Sequence, residues 1–336
     1  DGNDQDCLMK SEDRMEEESE NGPPPQDNSN EGSRNGSNHG YRMKAFFKER
    51  EPLCENHHGL YTTYIYYAQV LQKADYNWVA TGEEVAIKEV SWRTIRASRQ
   101  RMSEDFVKEI AALQYISDWH NNEMGGIRTI FDTHVLAADT IMSNESHLYI
   151  VMPYCAGGDL FQLVAEREDT RLTEEESKFW FRQILRGLET LQLMKLCHKD
   201  LSPENFIILD NVSLVIDFGM CLRIPYSAEV RHLISPRTAC GKLPFVAPEI
   251  FRQCPFDGHA VDIWAAGTIL LFLLTGKRLP NPLYAEIMLR SNDLGVSQEA
   301  LDLLQRMLRL DPNRRLSLQQ IQSHSWVQYH EYFPPR

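Results

Sequence analysis

None of the seven cysteines, at positions 7, 54, 155, 197, 221, 240 and 254, belongs to a C-x-x-C pair. An odd, scattered set disfavours a disulfide framework and a zinc ribbon alike, and suits a reducing cytosol or nucleus in which most thiols act as small core groups. Positive charge is also short. The formal net charge is -13, which argues against non-specific binding of nucleic acid or of an anionic membrane. No apolar run reaches the roughly 20 residues that cross a bilayer, the longest being 264–274, so no membrane span is expected. The first 40 residues contain no aromatic side chain, and eleven acidic against three basic residues place -8 of the charge there. With so little to bury, 1–40 is expected to be a disordered acidic leader, and such a leader is a candidate contact for a regulatory partner.

What remains is an ordinary globular composition, 42% hydrophobic and 25% charged, with room for one large or two small domains. Residues 41–59 read as a linker and 329–336 as a tail. Stretches rich in Tyr, Val, Ile and Thr predict strands over 61–71, 78–90, 130–136 and 148–152, with one helix opening at 106 between them. Beyond 152 helices dominate. Thr173 with Glu176 forms a capping-box pattern ahead of Phe181, Ile184, Leu185, Leu188 and Leu191 on one face, and 263–274 is apolar all round, as in a buried helix. Two more helices are predicted at 298–308 and 317–324. The fold class is α+β: a small strand-rich part (60–152) and a larger, mostly helical one (156–328), joined near the glycines of 153–158.

The chemistry concentrates in His198-Lys199-Asp200-Leu201-Ser202-Pro203-Glu204-Asn205 and, soon after, Asp217-Phe218-Gly219. Two carboxylates and a carboxamide beside the apolar runs 206–209 and 214–216 can converge on one polar site if those runs pair as strands. These stretches resemble the H-R-D-x-x-x-x-N loop and D-F-G turn of eukaryotic protein kinases. The resemblance extends to Val85-Ala86-Ile87-Lys88, to Glu109 on the following helix, to Ala247-Pro248-Glu249, to Asp262-Ile263-Trp264 with Gly267, and to Asp311-Pro312 with Arg315. It covers about 60–328 and implies a bilobal kinase fold that takes ATP and Mg²⁺ and acts on protein substrates.

By that resemblance Asn205 and Asp217 hold the metal, and Lys88, fixed by Glu109, grips the α and β phosphates. Asp200 takes or orients the substrate hydroxyl proton. Val70, Ala86 and Ile207 line the adenine, Met152 is the gatekeeper, Tyr154 and Cys155 belong to the hinge, and Asp159 reaches the ribose. Thr238 is a candidate activating phosphosite facing Lys199, which replaces the family's usual arginine. Pro203-Glu204 favours Ser/Thr over Tyr specificity.

Two departures stand out. The family's G-x-G-x-x-G, about twenty residues before the strand lysine, is missing, and the candidate stretch 63–70 has no glycine. Serine stands at 202 where the family has lysine, and lysine at 242 where it has threonine. An exchange of amine and hydroxyl is expected, with Lys242 reaching the catalytic aspartate and the γ-phosphate while Ser202 supplies the hydroxyl; two independent losses are the plainer alternative. Three functions stay open at this point: an active Ser/Thr kinase, which is favoured; a pseudokinase scaffold; and a small-molecule kinase, disfavoured by the peptide-docking A-P-E segment.

Overall fold

The computed structural model describes residues 8–10, 44–58, 61–74, 76–101, 106–122, 129–227, 230–236, 242–290 and 294–328. They fall into two compact units: the chain up to Trp92 with Thr140–Val151, and Arg93–Asp139 with the chain from Met152 onward.

The first unit is built on one sheet of β1 (Leu8–Lys10), β2 (Lys44–Lys48), β3 (Cys54–His58), β4 (Tyr61–Ala74) and β5 (Asn77–Ser91). Two strands from later in the chain, β6 (Thr140–Ser143) and β7 (His147–Pro153), complete it, giving the order β1-β2-β4-β5-β7-β6 with β3 also paired to β4. Two readings change here. The presumed linker 41–59 supplies β2 and β3, both antiparallel to β4. Residues 8–10, inside the presumed disordered leader, pair with β2; the rest of 1–40 lies outside the described residues.

The pleat of β4 and β5 sorts their side chains. Tyr66 opposite Ile87 and Ala68 opposite Val85 define one face, and Ile65 opposite Lys88 and Tyr67 opposite Ala86 the other. The first face is the core of the unit: Phe46, Ala68, Val70, Val85, Ile87, Tyr149 and Val151 pack together.

The second unit follows α1 (Trp92–Arg101) with α2 (Phe106–Asn122), longer than predicted and burying Phe106, Leu113, Ile116 and Trp119. The expected strand at 130–136 begins instead as a helical turn, α3 (Ile130–Thr133). Thr129 and Asp132 close a capping box on it, His134 ends it at φ 55°, and only then does the chain extend, with Leu136 N donating to Val215 O at 3.0 Å. Next come β6 (Thr140–Ser143) and β7 (His147–Pro153), then α4 (Leu160–Ala165) and α5 (Glu174–Leu193). The Thr173–Glu176 capping box and the buried face of α5 form as the sequence predicts.

Short pairs follow: β8 (Leu196–Cys197), β9 (Phe206–Leu209), β10 (Val212–Val215), β11 (Leu222–Arg223), β12 (Tyr226–Ser227) and β13 (Val230–Arg231). After α6 (Pro248–Phe251) comes α7 (Gly258–Thr275), then α8 (Ala285–Arg290), α9 (Gln298–Met307), α10 (Leu318–Gln322) and α11 (Ser325–Gln328). By length and apolarity α7 alone among the described helices could cross a membrane; in the fold, every residue from Val261 to Leu274 is buried in protein. Asp257 caps its start, and Gly276, at φ 67°, ends it in the left-handed conformation that glycine adopts without strain.

Candidate active site

The loop 198–205 hangs from α7. Asp262, fully buried, accepts from the backbone N–H of His198 at 2.8 Å and of Lys199 at 2.9 Å. Burial pushes its carboxyl up to about 7 against the pull of those two donors and of nearby Lys199. Presenting two successive N–H groups to one carboxylate turns the backbone sharply, and Lys199 sits at φ 70°, a region non-glycine residues occupy only when their surroundings hold them there.

His198 fixes the next corner. Asp200 N donates to its Nδ1 at 3.3 Å, so the ring proton is on Nε2, which donates to Ile216 O at 2.9 Å. Burial lowers the pKa of this imidazole and keeps it neutral. One ring thereby ties the loop to the residue before Asp217 and lies 5.3 Å from the Phe218 ring, itself buried.

Asn205 completes the frame. Its Nδ2 donates to Asp200 O at 2.7 Å, its backbone N to Ser202 O at 2.9 Å, and its backbone O accepts from Ile216 N at 3.0 Å. With Nδ2 committed, Oδ1 is the amide atom left to face a ligand. The strands needed to bring Asp217 to this loop are present, since β9 pairs antiparallel with β10 from Val212 opposite Leu209 to Val215 opposite Phe206. Asp217, at φ 64°, accepts from Gly219 N at 3.3 Å. Asn205 and Asp217 thus offer oxygen donors of the hard kind that Mg²⁺ prefers, in the small number it takes when phosphate and water fill the remaining positions.

Other predicted residues distribute as follows. Met152, Cys155 and Ile207 join one apolar cluster with Leu136 and Leu214, so the residues expected at the hinge and against adenine come together. Gly157 N donates to Ile208 O at 3.1 Å and Ile208 N to Gly158 O at 2.8 Å. That approach leaves no room for a side chain, because a Cβ on Gly157 would stand 2.7 Å from Ile208 O. Tyr154 is half-buried on the same segment. Asp159 has a role that the sequence reading missed: it is the N-cap of α4, accepting from Gln162 N at 2.8 Å. Burial raises its carboxyl pKa. The signal was available as Asp159-x-x-Gln162, a capping-box spacing.

Lys88 and Ala86 stand on β5 of the first unit, on the face away from its core. Glu109, buried, belongs to α2 of the second. Val70 does not share the face of Ala86. It is a core residue, and Tyr67 stands opposite Ala86 instead. The same register relocates the missing glycine loop: 63–70 lies within β4, and the connection leading into that strand, 49–60, carries β3 and a single glycine at 59. Thr238 lies outside the described residues. The Lys199 ammonium is 6.0 Å from the Phe256 ring centre. Farther out, Arg315 makes a bidentate pair with Glu249 at 2.6 Å on each arm, as the A-P-E and D-P-x-x-R resemblance implies.

Residues 74–327 match the family described as "Protein kinase domain". The match opens at the last residue of β4, so β2, β3 and most of β4 precede it. The chain is 29% identical over 258 residues to the maternal embryonic leucine zipper kinase of Xenopus tropicalis, covering 74% of this chain and 36% of that protein. It is 33% identical over 214 residues to the Danio rerio protein of the same name, covering 61% and 31%. It is 30% identical over 254 residues to a probable serine/threonine-protein kinase of Dictyostelium discoideum, covering 73% and 28%. The chain thus spans about a third of the length of these relatives. The loop 198–205, the turn 217–219 and the buried Glu249–Arg315 pair in one unit, with a family match across most of the chain, make this chain a member of the protein kinase family.

Proposed function

We propose that the chain is a protein serine/threonine kinase that transfers the γ-phosphoryl group of ATP, with Mg²⁺, to hydroxyls of protein substrates. The observation that carries this reading is the clamped loop. Asn205 holds the Asp200 backbone at 2.7 Å while neutral His198 holds its N–H, so the backbone that carries the Asp200 carboxylate is held in place for proton work, and Asn205 Oδ1 is left for ligand binding. In the transfer, the bond from the γ-phosphorus to the bridging β,γ-oxygen breaks and a bond to the substrate oxygen forms. The hydroxyl proton passes to Asp200, and ADP leaves. Mg²⁺ when bound supplies charge neutralisation across the phosphates. Asn205 and Asp217 are the residues that would hold it. Lys88 supplies a cation for the phosphates, and Met152, Cys155 and Ile207 an apolar surface for the base. Pro203 and Glu204 support the Ser/Thr assignment.

A pseudokinase is the second reading, and the connection 49–60, with one glycine where the family has three, is what favours it. A transfer assay with labelled ATP, preceded by a thermal-shift titration with Mg-ATP, separates the two. The kinase reading expects nucleotide to raise the melting temperature and label transfer to vanish in Asp200→Asn. Stabilisation without transfer, or transfer that survives Asp200→Asn, removes it.

A further inference from the structure

The two departures at 202 and 242 meet in space. Lys242 Nζ donates to Ser202 Oγ at 3.4 Å across forty residues of chain, and lies 3.8 Å from the Glu204 carboxylate. That second distance is an ion pair but too long for a hydrogen bond, and Glu204 Oε2 has no hydrogen-bond partner among the described residues. Ser202 is fully buried, whereas the Lys242 side chain is 48% exposed. The Lys242 side chain is thus half exposed while its ammonium reaches the buried Ser202 hydroxyl.

Transfer of a phosphoryl group places charge on its equatorial oxygens, and a cation beside the catalytic carboxylate is what the chemistry requires there. The loop's own lysine is badly placed for this. Lys199 is held by its backbone to Asp262, and its ammonium lies toward the Phe256 ring. Lys242, seated on the residue two beyond Asp200, is the ammonium in position.

The geometry points to Lys242 as the cation that contacts the transferring phosphoryl group, with Ser202 as its seat and Glu204 as its resting counter-ion. Amine and hydroxyl have exchanged places between the loop and the segment that begins at 242. The Lys242–Glu204 contact is an ion pair without a hydrogen bond, so the ammonium can exchange it for a phosphate. Lys242 neutralises charge and takes no proton; the hydroxyl proton still goes to Asp200. This inference rests on the phosphotransfer reading above, and the test keeps the two apart.

The test compares the full chain with Lys242→Thr, Lys242→Gln and the double variant Lys242→Thr/Ser202→Lys, by labelled-phosphate transfer and by ATP and ADP affinity in the presence of Mg²⁺. Lys242→Thr is expected to lower kcat about 100-fold, the scale of removing one electrostatic stabiliser, and to reduce the preference for ATP over ADP while leaving ADP affinity unchanged. The double variant is expected to regain at least about tenfold of that kcat, a non-additive result. Lys242→Gln, which keeps a polar donor but not the charge, is expected to behave as Lys242→Thr. Wild-type kcat and an unchanged ATP preference in both single variants overturn the inference, as does a double variant no better than Lys242→Thr. If the wild type transfers nothing, the phosphotransfer reading fails while the ATP-over-ADP preference still decides the role of Lys242. A wild type that binds neither nucleotide removes both.

Discussion

Glu249 and Arg315 allow the most quantitative prediction. Their side chains are 6% and 1% exposed, joined by two hydrogen bonds of 2.6 Å. Arg315 also donates from Nε to Arg309 O and from Nη1 to Ala260 O, both at 2.9 Å, and packs 4.9 Å from the centre of the Trp264 ring. Removing one partner of such a pair leaves a buried, uncompensated charge at a cost of about 3–5 kcal/mol, whereas replacing both is near neutral. The two single changes differ in their escape routes. After Arg315→Met the Glu249 carboxyl can take up a proton, but after Glu249→Gln the guanidinium cannot give one up. Glu249→Gln is therefore expected to cost more, near about 5 kcal/mol, with Arg315→Met nearer about 3. At about 2–4 °C per kcal/mol for a unit of this size, the melting temperature falls by about 6–20 °C. Circular-dichroism melts of wild type, both single variants and Glu249→Gln/Arg315→Met form a complete cycle. The double variant should melt above Glu249→Gln. If it melts at the sum of the single losses, the pair is not the coupled unit described and the reasoning fails.

Other tests are smaller. His259 is buried, and desolvation lowers its pKa to about 4 from an ordinary 6.5, so the unfolded chain takes up a proton before the folded one does. Stability tied to this residue is complete above about pH 6.5 and is lost as pH falls toward about 4. The melting-temperature difference between wild type and His259→Gln, followed from pH 7.5 to 4.5, should move in that direction; a flat difference refutes it. Gly157→Ala places a Cβ 2.7 Å from Ile208 O and is expected to cost about 1–3 kcal/mol and to weaken nucleotide binding. Unchanged urea midpoints would show that the hinge-to-β9 approach is not as tight as described. Among the described cysteines, Cys54 and Cys254 are exposed, while burial pushes the Cys155 thiol up to about 11 and that of Cys221 to about 12. Brief alkylation near neutral pH should mark the exposed pair first, as read by mass spectrometry.

Much of the second unit was legible because its signals are local and redundant. The capping box at 173–176, the apolar stripe of α5, the all-apolar α7 and the paired runs around Asn205 each follow from a few neighbouring residues. The failures share a physical cause as well. At 130–136, β-branched and apolar residues read as a strand, yet Thr129 and Asp132 cap a turn of helix; the short-range hydrogen bonds outweigh the propensity. The strands at 44–48 and 54–58 were lost because β-pairing is a long-range decision, made by partners in β4 that composition does not reveal. Val70 was misplaced by face. Tyr67 is the partner of Ala86, and alternation along β4 turns Val70 with Ala68 into the core instead; an offset of one residue exchanges the two sides of a sheet. The paired oddity at 202 and 242 led to the expectation that Lys242 reaches Asp200 and the γ-phosphate; its contacts with Ser202 Oγ and Glu204 were not foreseen.

Asp262 has an implication for how this chain tolerates change. Since one carboxylate on α7 suspends the backbone of His198 and Lys199, any slippage of that helix is inherited by Asp200, one residue on. Gly267, whose Cβ would stand 3.0 Å from Leu308 Cδ2 and 3.1 Å from Met307 Cβ, is a place where such slippage would start. A mutational screen scored on phosphotransfer would therefore mark positions deep in α7 as though they touched substrate. The same screen scored on abundance would mark only the volume-conserving changes among them as mild. The distance between the two maps would trace the mechanical lineage of the catalytic loop back into the hydrophobic core.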